Sequence, residues 1–180
     1  SMSGSSVIKS SHAYSTNNDV TVGNGGGVSV TRGTFTMSGS KIQNCTAVTD
    51  GGGVYVYVDG DTTKDSFTMS EDAEILKSKA SGNGGAVCVE GGNALMSGGT
   101  IGGISSNGCS AENGGAVSVT GGRFTMSNSR IQNCTATAFG GGVYVRANEG
   151  SIGDSFIITD STIESCEGKD GGAISVSEGS

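Results

Sequence analysis

The sequence predicts an all-β protein, a right-handed parallel β-helix with three short strands per coil and about six coils. Two observations lead to this prediction. A motif of two or three glycines or alanines followed by an apolar residue, any residue and Val occurs six times along the 180 residues. The stretch from Phe35 to Ala47 also reappears almost unchanged from Phe124 to Ala136, 89 residues later. Strand-like pieces that return regularly, with no helical pattern between them, favour coils that stack on one another.

The composition excludes several classes of protein. The chain has 34 glycines, 28 serines, no proline and no tryptophan, and its formal charge is -7. Gly and Ser are poor helix formers, so a helical bundle is not expected. No apolar run approaches the ~20 residues that a membrane helix needs, so we expect no direct membrane insertion by this segment. The negative charge gives no support for a nucleic-acid partner.

The first strand of each coil is the V-x-V segment after the glycines. Its first apolar residue recurs at intervals of 26 to 33 residues. These residues are Val28, Val54, Val87, Val117, Val143 and Ile174. Because side chains alternate across a strand, the two apolar residues point inward and the residue between them points outward. The preceding glycines predict a tight corner that contains a positive φ.

The second and third strands are predicted by F-T-M-S and by the Ile that follows five residues after Met. In the first clear coil, Phe35, Met37 and Ile42 alternate with polar residues, so we expect all three inside. Two residues after Ile, Asn44 and Asn133 are expected at another corner, where stacked Asn side chains hydrogen-bond from coil to coil.

The repeat continues from end to end, which predicts one β-helix domain over residues 1–180. The pattern is cut at both termini, so we expect the chain to be a fragment of a longer repeat protein. The variation in coil length falls in loops at the corners. The longest are expected from Ala13 to Gly25 and from Val58 to Asp65.

The motifs G-G-G-V-Y-V, G-G-A-I-S-V, F-T-M-S and I-Q-N-C-T-A together resemble the repeats of bacterial polymorphic outer-membrane proteins and related adhesin-like proteins. Those families alternate G-G-[AGVIL]-[VIL] with F-x-x-N. The first element matches six times here, whereas Phe35 is followed three residues later by Ser38. The resemblance covers nearly the whole chain and implies a secreted or cell-surface stalk, on a bacterial outer surface, with a host-surface protein or glycan as partner. The same fold also houses pectate-lyase-like enzymes, which are the alternative.

Outward positions of the first strands hold the best candidates for ligand binding. These are Tyr55, Tyr57, Tyr144, Arg146 and Glu90. Tyr55 and Tyr144 occupy the same position three coils apart, so roughly 14 Å should separate them. Exposed aromatic rings stack on sugars or anchor protein partners, although Tyr is also simply a good residue for a half-exposed sheet. Glu90 has no acidic partner in these positions, which argues against acid–base catalysis and favours a non-enzymatic role.

One acidic loop resembles a site for a hard cation. Asp59, Asp61 and Asp65 lie close together in sequence, and carboxylates at such spacing suit Ca²⁺. An acidic, Gly-containing loop is also a common solvated turn. Calcium is therefore a possible cofactor, and no other cofactor is expected.

The chain has five cysteines, and an odd number is poor evidence for a complete disulfide framework. Cys45, Cys134 and Cys166 share one place in the repeat. Cys134 and Cys166 should lie in adjacent coils, where they could bridge or could simply stack as small, weakly polar residues. The absence of C-x-x-C argues against zinc.

Two further possibilities concern the surface and the ends of the rod. Outward Thr36, Thr68 and Thr125 resemble the hydroxyl arrays of ice-binding β-helices, although Leu95 and Ile157 interrupt the row. Uncapped strand edges at the two ends predict end-to-end self-association.

Overall fold

The computed structural model describes residues 1–17, 20–58, 65–147 and 156–178. Its strands form four parallel sheets, three of six strands and one of five, and each sheet takes one strand from successive coils. The described chain is therefore a β-solenoid of about five full turns, which confirms the predicted fold class. No described helix is long and apolar enough to cross a membrane.

The first sheet, which we call the Val sheet, contains the V-x-V segments. Its strands are Val28–Thr31, Val54–Tyr57, Val87–Glu90, Val117–Thr120, Val143–Ala147 and Ile174–Glu178. The pairing is in register throughout, so that Val54 lies between Val28 and Val87. The insertions between motifs therefore leave the alignment of the strands unchanged.

The second and third sheets, the Phe sheet and the Ile sheet, follow the predicted motifs. The Phe sheet consists of Met2–Ser3, Phe35–Ser38, Asp65–Ser70, Asn93–Ser97, Phe124–Ser127 and Phe156–Thr159. The Ile sheet consists of Val7–Lys9, Lys41–Gln43, Glu74–Leu76, Thr100–Gly102, Arg130–Gln132 and Thr162–Glu164. Thr68 pairs with Thr36 and with Leu95, so the outward Thr row is interrupted as its sequence indicates.

A fourth sheet of two-residue strands was not predicted. Its strands are His12–Ala13, Thr46–Ala47, Lys79–Ala80, Ser110–Ala111 and Thr135–Ala136. Each strand ends in Ala, and Ala47 is 1% exposed. Two residues are too few to show a period of two, which is why the sequence pattern does not reveal these strands.

The core is a set of parallel apolar columns. In the middle coils, Val87, Val117, Met96, Ile101 and Phe124 are each at most 1% exposed. Most of the columns repeat one residue type; Ile75, for example, pairs with Ile42 and with Ile101, whereas Ala94 lies between Phe67 and Phe124. The predicted inward faces are therefore confirmed, and burial of these columns is the main stabilising contribution to the fold.

The two glycines of the repeat have different roles, which Gly84 and Gly85 illustrate. Gly84 has a φ of +64°, a conformation that other residues rarely adopt. Gly85 does not, but a Cβ there would lie 2.6 Å from the backbone nitrogen of Ser110 in the next coil. The third position tolerates a methyl group, since Ala86 and Ala116 are both fully buried there. The motif thus combines a turn with a close approach of two backbones.

Two local elements depart from the solenoid. In the predicted loop from Ala13 to Gly25, Ser15–Asn17 pairs antiparallel with Val20–Val22. A short 3₁₀ helix, Ser105–Asn107, follows one strand of the Ile sheet. Both lie at corners, where an insertion does not disturb the stack.

Candidate functional site

The outward side of the Val sheet carries the predicted ligand-binding residues in two rows. The first row contains Ser29, Tyr55, Cys88, Ser118, Tyr144 and Ser175. The second contains Thr31, Tyr57, Glu90, Thr120, Arg146 and Ser177. Tyr55, Tyr57 and Glu90 lie on two neighbouring strands and form one group, while Tyr144 and Arg146 form another. Two strands lie between Tyr55 and Tyr144, so these two residues are about 14 Å apart.

The middle of the first row is buried, although it points away from the core. Tyr55, Cys88 and Ser118 are 8%, 1% and 0% exposed. The ring of Tyr55 is therefore not presented to solvent, whereas Tyr57 is 37% exposed.

Tyr55 and Glu90 contact each other directly. The Tyr55 hydroxyl donates a hydrogen bond of 2.8 Å to Glu90 Oε2. Burial of the ring, together with the bonded Glu90 carboxylate, raises the pKa of Tyr55 well above its ordinary value. These two predicted site residues thus hold each other in place, which is a structural use of both side chains.

We expect the stability of the protein to fall as the pH rises above about 10, and Tyr55→Phe to reduce this dependence. Folding raises the pKa of Tyr55, so the unfolded chain loses this proton first and gains stability relative to the fold. The contribution is complete below the unfolded pKa and is lost as the pH rises towards the folded one. Urea unfolding between pH 8 and about 11.5 measures it. Tyr57→Phe is the matched control, and equal slopes for wild type and Tyr55→Phe would contradict the assignment.

A column of Asn and Asp side chains runs along the corner beside the first row. Asp50 Oδ1 accepts from the nitrogen of Asn83 at 2.6 Å and from its Nδ2 at 2.9 Å. The chain continues through Asn113 Nδ2, which donates to Asn83 Oδ1 at 3.1 Å. Asn24 Oδ1 accepts from the nitrogen of Asp50 at 3.1 Å. These bonds connect four successive coils at one corner.

The predicted corner at Asn44 and Asn133 is confirmed, whereas the predicted stacking of Asn on Asn there is wrong. Both residues do turn a corner, with φ of 55° and 54°. However, Lys77 follows Asn44 in the next coil, and Asn133 Nδ2 donates to the Gly103 carbonyl at 2.7 Å rather than to another Asn. The two asparagines are three coils apart, so they have no contact with each other.

Phe139 occupies the place in this column where the four earlier coils have Asn or Asp. It is 42% exposed, and its ring stacks on Tyr144 with centroids 5.8 Å apart and planes 24° apart. The Tyr144 hydroxyl lies 3.2 Å from Ser177 Oγ, and Arg146 on the same strand is exposed. The sequence reasoning missed Phe139, although an aromatic residue directly before the glycines of the repeat is a departure that could have drawn attention to it.

An open polar groove of about 650 Å³ crosses the outward side of the Ile sheet. It is lined by Asp72, Glu74, Gly99, Thr100, Asn128, Ser129, Arg130, Asp160 and Thr162. Two of these side chains form ion pairs with their neighbours: Glu74 with Lys41, and Arg130 with Glu164 at 3.1 Å. No sequence motif marks this groove, because its residues come from the Ile-sheet strands and the turns before them in four different coils.

The cysteines are all free thiols. Cys45, Cys134 and Cys166 each donate to the carbonyl two residues earlier, at 3.3 to 3.4 Å. Ser78 makes the same bond in the coil after Cys45. Contact with Cys134 and burial raise the pKa of Cys166 above its ordinary value, which favours the protonated thiol. Cys45, Cys134 and Cys166 therefore act as small residues of a stacked column.

The predicted calcium site lies mainly outside the described residues. This applies to Asp59 and Asp61, while the backbone at Asp65 begins a strand of the Phe sheet. Among the described residues, no group of three or more His, Cys, Asp or Glu side chains is arranged to hold a metal ion. Calcium binding by this loop stays a prediction.

Comparisons with known proteins found no matching family model, no similar curated protein and no similar solved structure. The chain is therefore assigned to the class of parallel β-solenoids by its own geometry. The resemblance of its repeats to bacterial surface proteins stays a prediction.

Proposed function

We propose that this chain is a non-enzymatic segment of an extracellular or cell-surface stalk, which displays its sheet faces and corner loops to a host protein or a glycan. The observation that supports this role is the uninterrupted stack of coils. Each coil bonds to the next through its backbone, at corners as well as in strands; the nitrogens of Gly51 and Gly84, for example, donate to carbonyls of the following coil at 2.9 and 2.8 Å.

Such a stack favours a stiff spacer. Apolar residues, mostly of the same type, fill the interior from coil to coil, and bending the rod would open these columns and separate the ladders of hydrogen bonds. Variation in sequence is then confined to the outward faces and the corners. A protein with this distribution can change what it displays without changing its shape.

Surface display can be tested with antibodies raised against the folded chain. We expect them to label intact cells of the source organism, and external protease to remove the label. Labelling that requires permeabilised cells would overturn the proposal. Binding of the purified chain to host cells or to glycans tests the adhesive part separately. Association of rods end to end remains a prediction, which light scattering over a range of concentrations tests.

The alternative function, a carbohydrate-active enzyme, is favoured by the polar groove on the Ile sheet. Asp72, Asp160 and Arg130 line one volume large enough for sugar units, although three coils, roughly 14 Å, separate the two carboxylates, which is wider than the ~10 Å of paired glycosidase carboxylates. Glu90 is a weaker candidate acid, because it already accepts the Tyr55 hydroxyl. Cleavage of a polysaccharide that disappears in both Asp72→Asn and Asp160→Asn, with unchanged folding, would establish the enzyme. The absence of turnover on neutral and acidic polysaccharides favours the stalk.

A further inference from the structure

The stacked rings of Phe139 and Tyr144, which we call the aromatic platform, have the features of a binding surface. The Phe139 ring is 42% exposed although it lies 5.8 Å from the Tyr144 ring. In the same column, earlier coils use Asn or Asp to bond one coil to the next; Asn113 Oδ1, for example, accepts from the nitrogen of Phe139 at 3.3 Å. An Asn at 139 could continue this column, so the fold itself does not require an aromatic residue there.

A hydrogen-bond acceptor and a hydrogen-bond donor flank the platform. Asp170 lies beside Phe139 in the next coil, where the two backbones form an isolated parallel β-bridge, and Asp170 is exposed. On the other side, Arg146 lies two residues beyond Tyr144 on the same outward face and is also exposed. The Tyr144 hydroxyl is held near Ser177, which fixes the ring. The platform therefore has an acceptor at one end and a donor at the other.

This combination identifies the chemistry of a ligand. An aromatic ring provides a flat apolar surface for the C–H face of a sugar, while a carboxylate and a guanidinium accept and donate hydrogen bonds to its hydroxyl groups. The contact area of two rings matches that of one sugar unit. A stable protein interface buries about 800 Å² on each partner, which is far more than two rings provide. The exposed Asp170 and the net charge of -7 oppose a polyanion.

We propose that the aromatic platform binds neutral hexose units of a glycan. This inference rests on the proposed display function and specifies which face binds and what class of ligand it takes. Phe139 and Tyr144 supply the apolar surface, and Asp170 and Arg146 orient the hydroxyl groups. A single exposed platform of this size gives weak binding, with a Kd of about 1 mM for one site. Display of many such stalks would raise the apparent affinity through multivalency.

The test uses the full chain and saturation-transfer NMR with cellohexaose and maltohexaose as neutral probes, and oligogalacturonate as the acidic probe. We expect saturation of the protein's aromatic protons to be transferred to at least one bound neutral probe. Phe139→Asn should weaken the binding of that probe about tenfold. Phe139→Asn is well matched, because it restores the residue type of the column and should fold at least as well as wild type. Tyr14→Ser, which removes a ring that is 68% exposed elsewhere, is the control and should bind normally.

Two results would overturn the inference. One is the absence of binding to both neutral probes; the other is equal binding by wild type and Phe139→Asn, which would place the sugar on another face. Preference for oligogalacturonate would also contradict the assignment of a neutral ligand. None of these results affects labelling of intact cells, so failure of the platform and failure of the display function are distinguishable.

Discussion

Val87→Asp is expected to abolish cooperative folding. Val87 is completely buried in the Val column and pairs with Val54 and Val117, which are also buried. The substitution places a carboxylate among apolar side chains with no basic partner, and an uncompensated buried charge costs about 3–5 kcal/mol or more. This is a large part of the 5–15 kcal/mol that typically stabilises a domain. Urea titration followed by far-UV circular dichroism measures the loss.

The control for this variant is Ser29→Asp. Ser29 lies in the same sheet at an outward, exposed position, so the same new carboxylate stays in water. We expect a change within about 0.5 kcal/mol for Ser29→Asp. A native spectrum and an unchanged urea midpoint for Val87→Asp would contradict the inward assignment of the Val column.

Gly85→Ala is expected to lower the free energy of unfolding by about 3 kcal/mol, although it adds a single methyl group. That methyl carbon would lie 2.6 Å from both the nitrogen and the oxygen of Ser110, and closer still to the Gly115 carbonyl. These are backbone atoms of the next coil, so no side-chain rotation relieves the overlap and the two coils must separate. The midpoint of urea unfolding measures the effect.

Gly33→Ala is the matched control. A methyl group at Gly33 meets only the Val30 Cγ1, at 3.3 Å, and it requires no positive φ. Because Ala restricts the unfolded chain, we expect this variant to be neutral or more stable by about 0.4–1 kcal/mol. Similar losses for the two variants would mean that close packing between coils is not the reason for the second glycine of the repeat.

The columns of the core could be predicted from sequence because their residues repeat in type and in alternation. Val54, Phe67 and Ile42 each belong to a motif that fixes which side chains point inward, and the structure places all three in the core. The fourth sheet could not be predicted in this way. Strands such as Thr46–Ala47 are too short for alternation to appear, and their pairing depends on where the preceding corner ends.

The surface was less predictable than the core. Tyr55 points outward as expected, yet it is 8% exposed and its hydroxyl bonds to Glu90, which is a contact between two coils rather than a property of the strand. The polar groove combines strand and turn residues from four coils and has no motif. Phe139 was visible in the sequence only as an exception to a column of Asn and Asp, and that column was itself predicted at the wrong corner.

The 89-residue duplication has a consequence for how the molecule can grow. Val28 and Val117 are separated by that interval and lie in the same sheet, three coils apart and in register. Copying such a block adds three whole turns, so each outward side chain and loop of the copy lies on the same side of the rod as the residue it duplicates. Gene duplication could thus lengthen this filament in steps of about 14 Å and multiply one docking patch along a straight line.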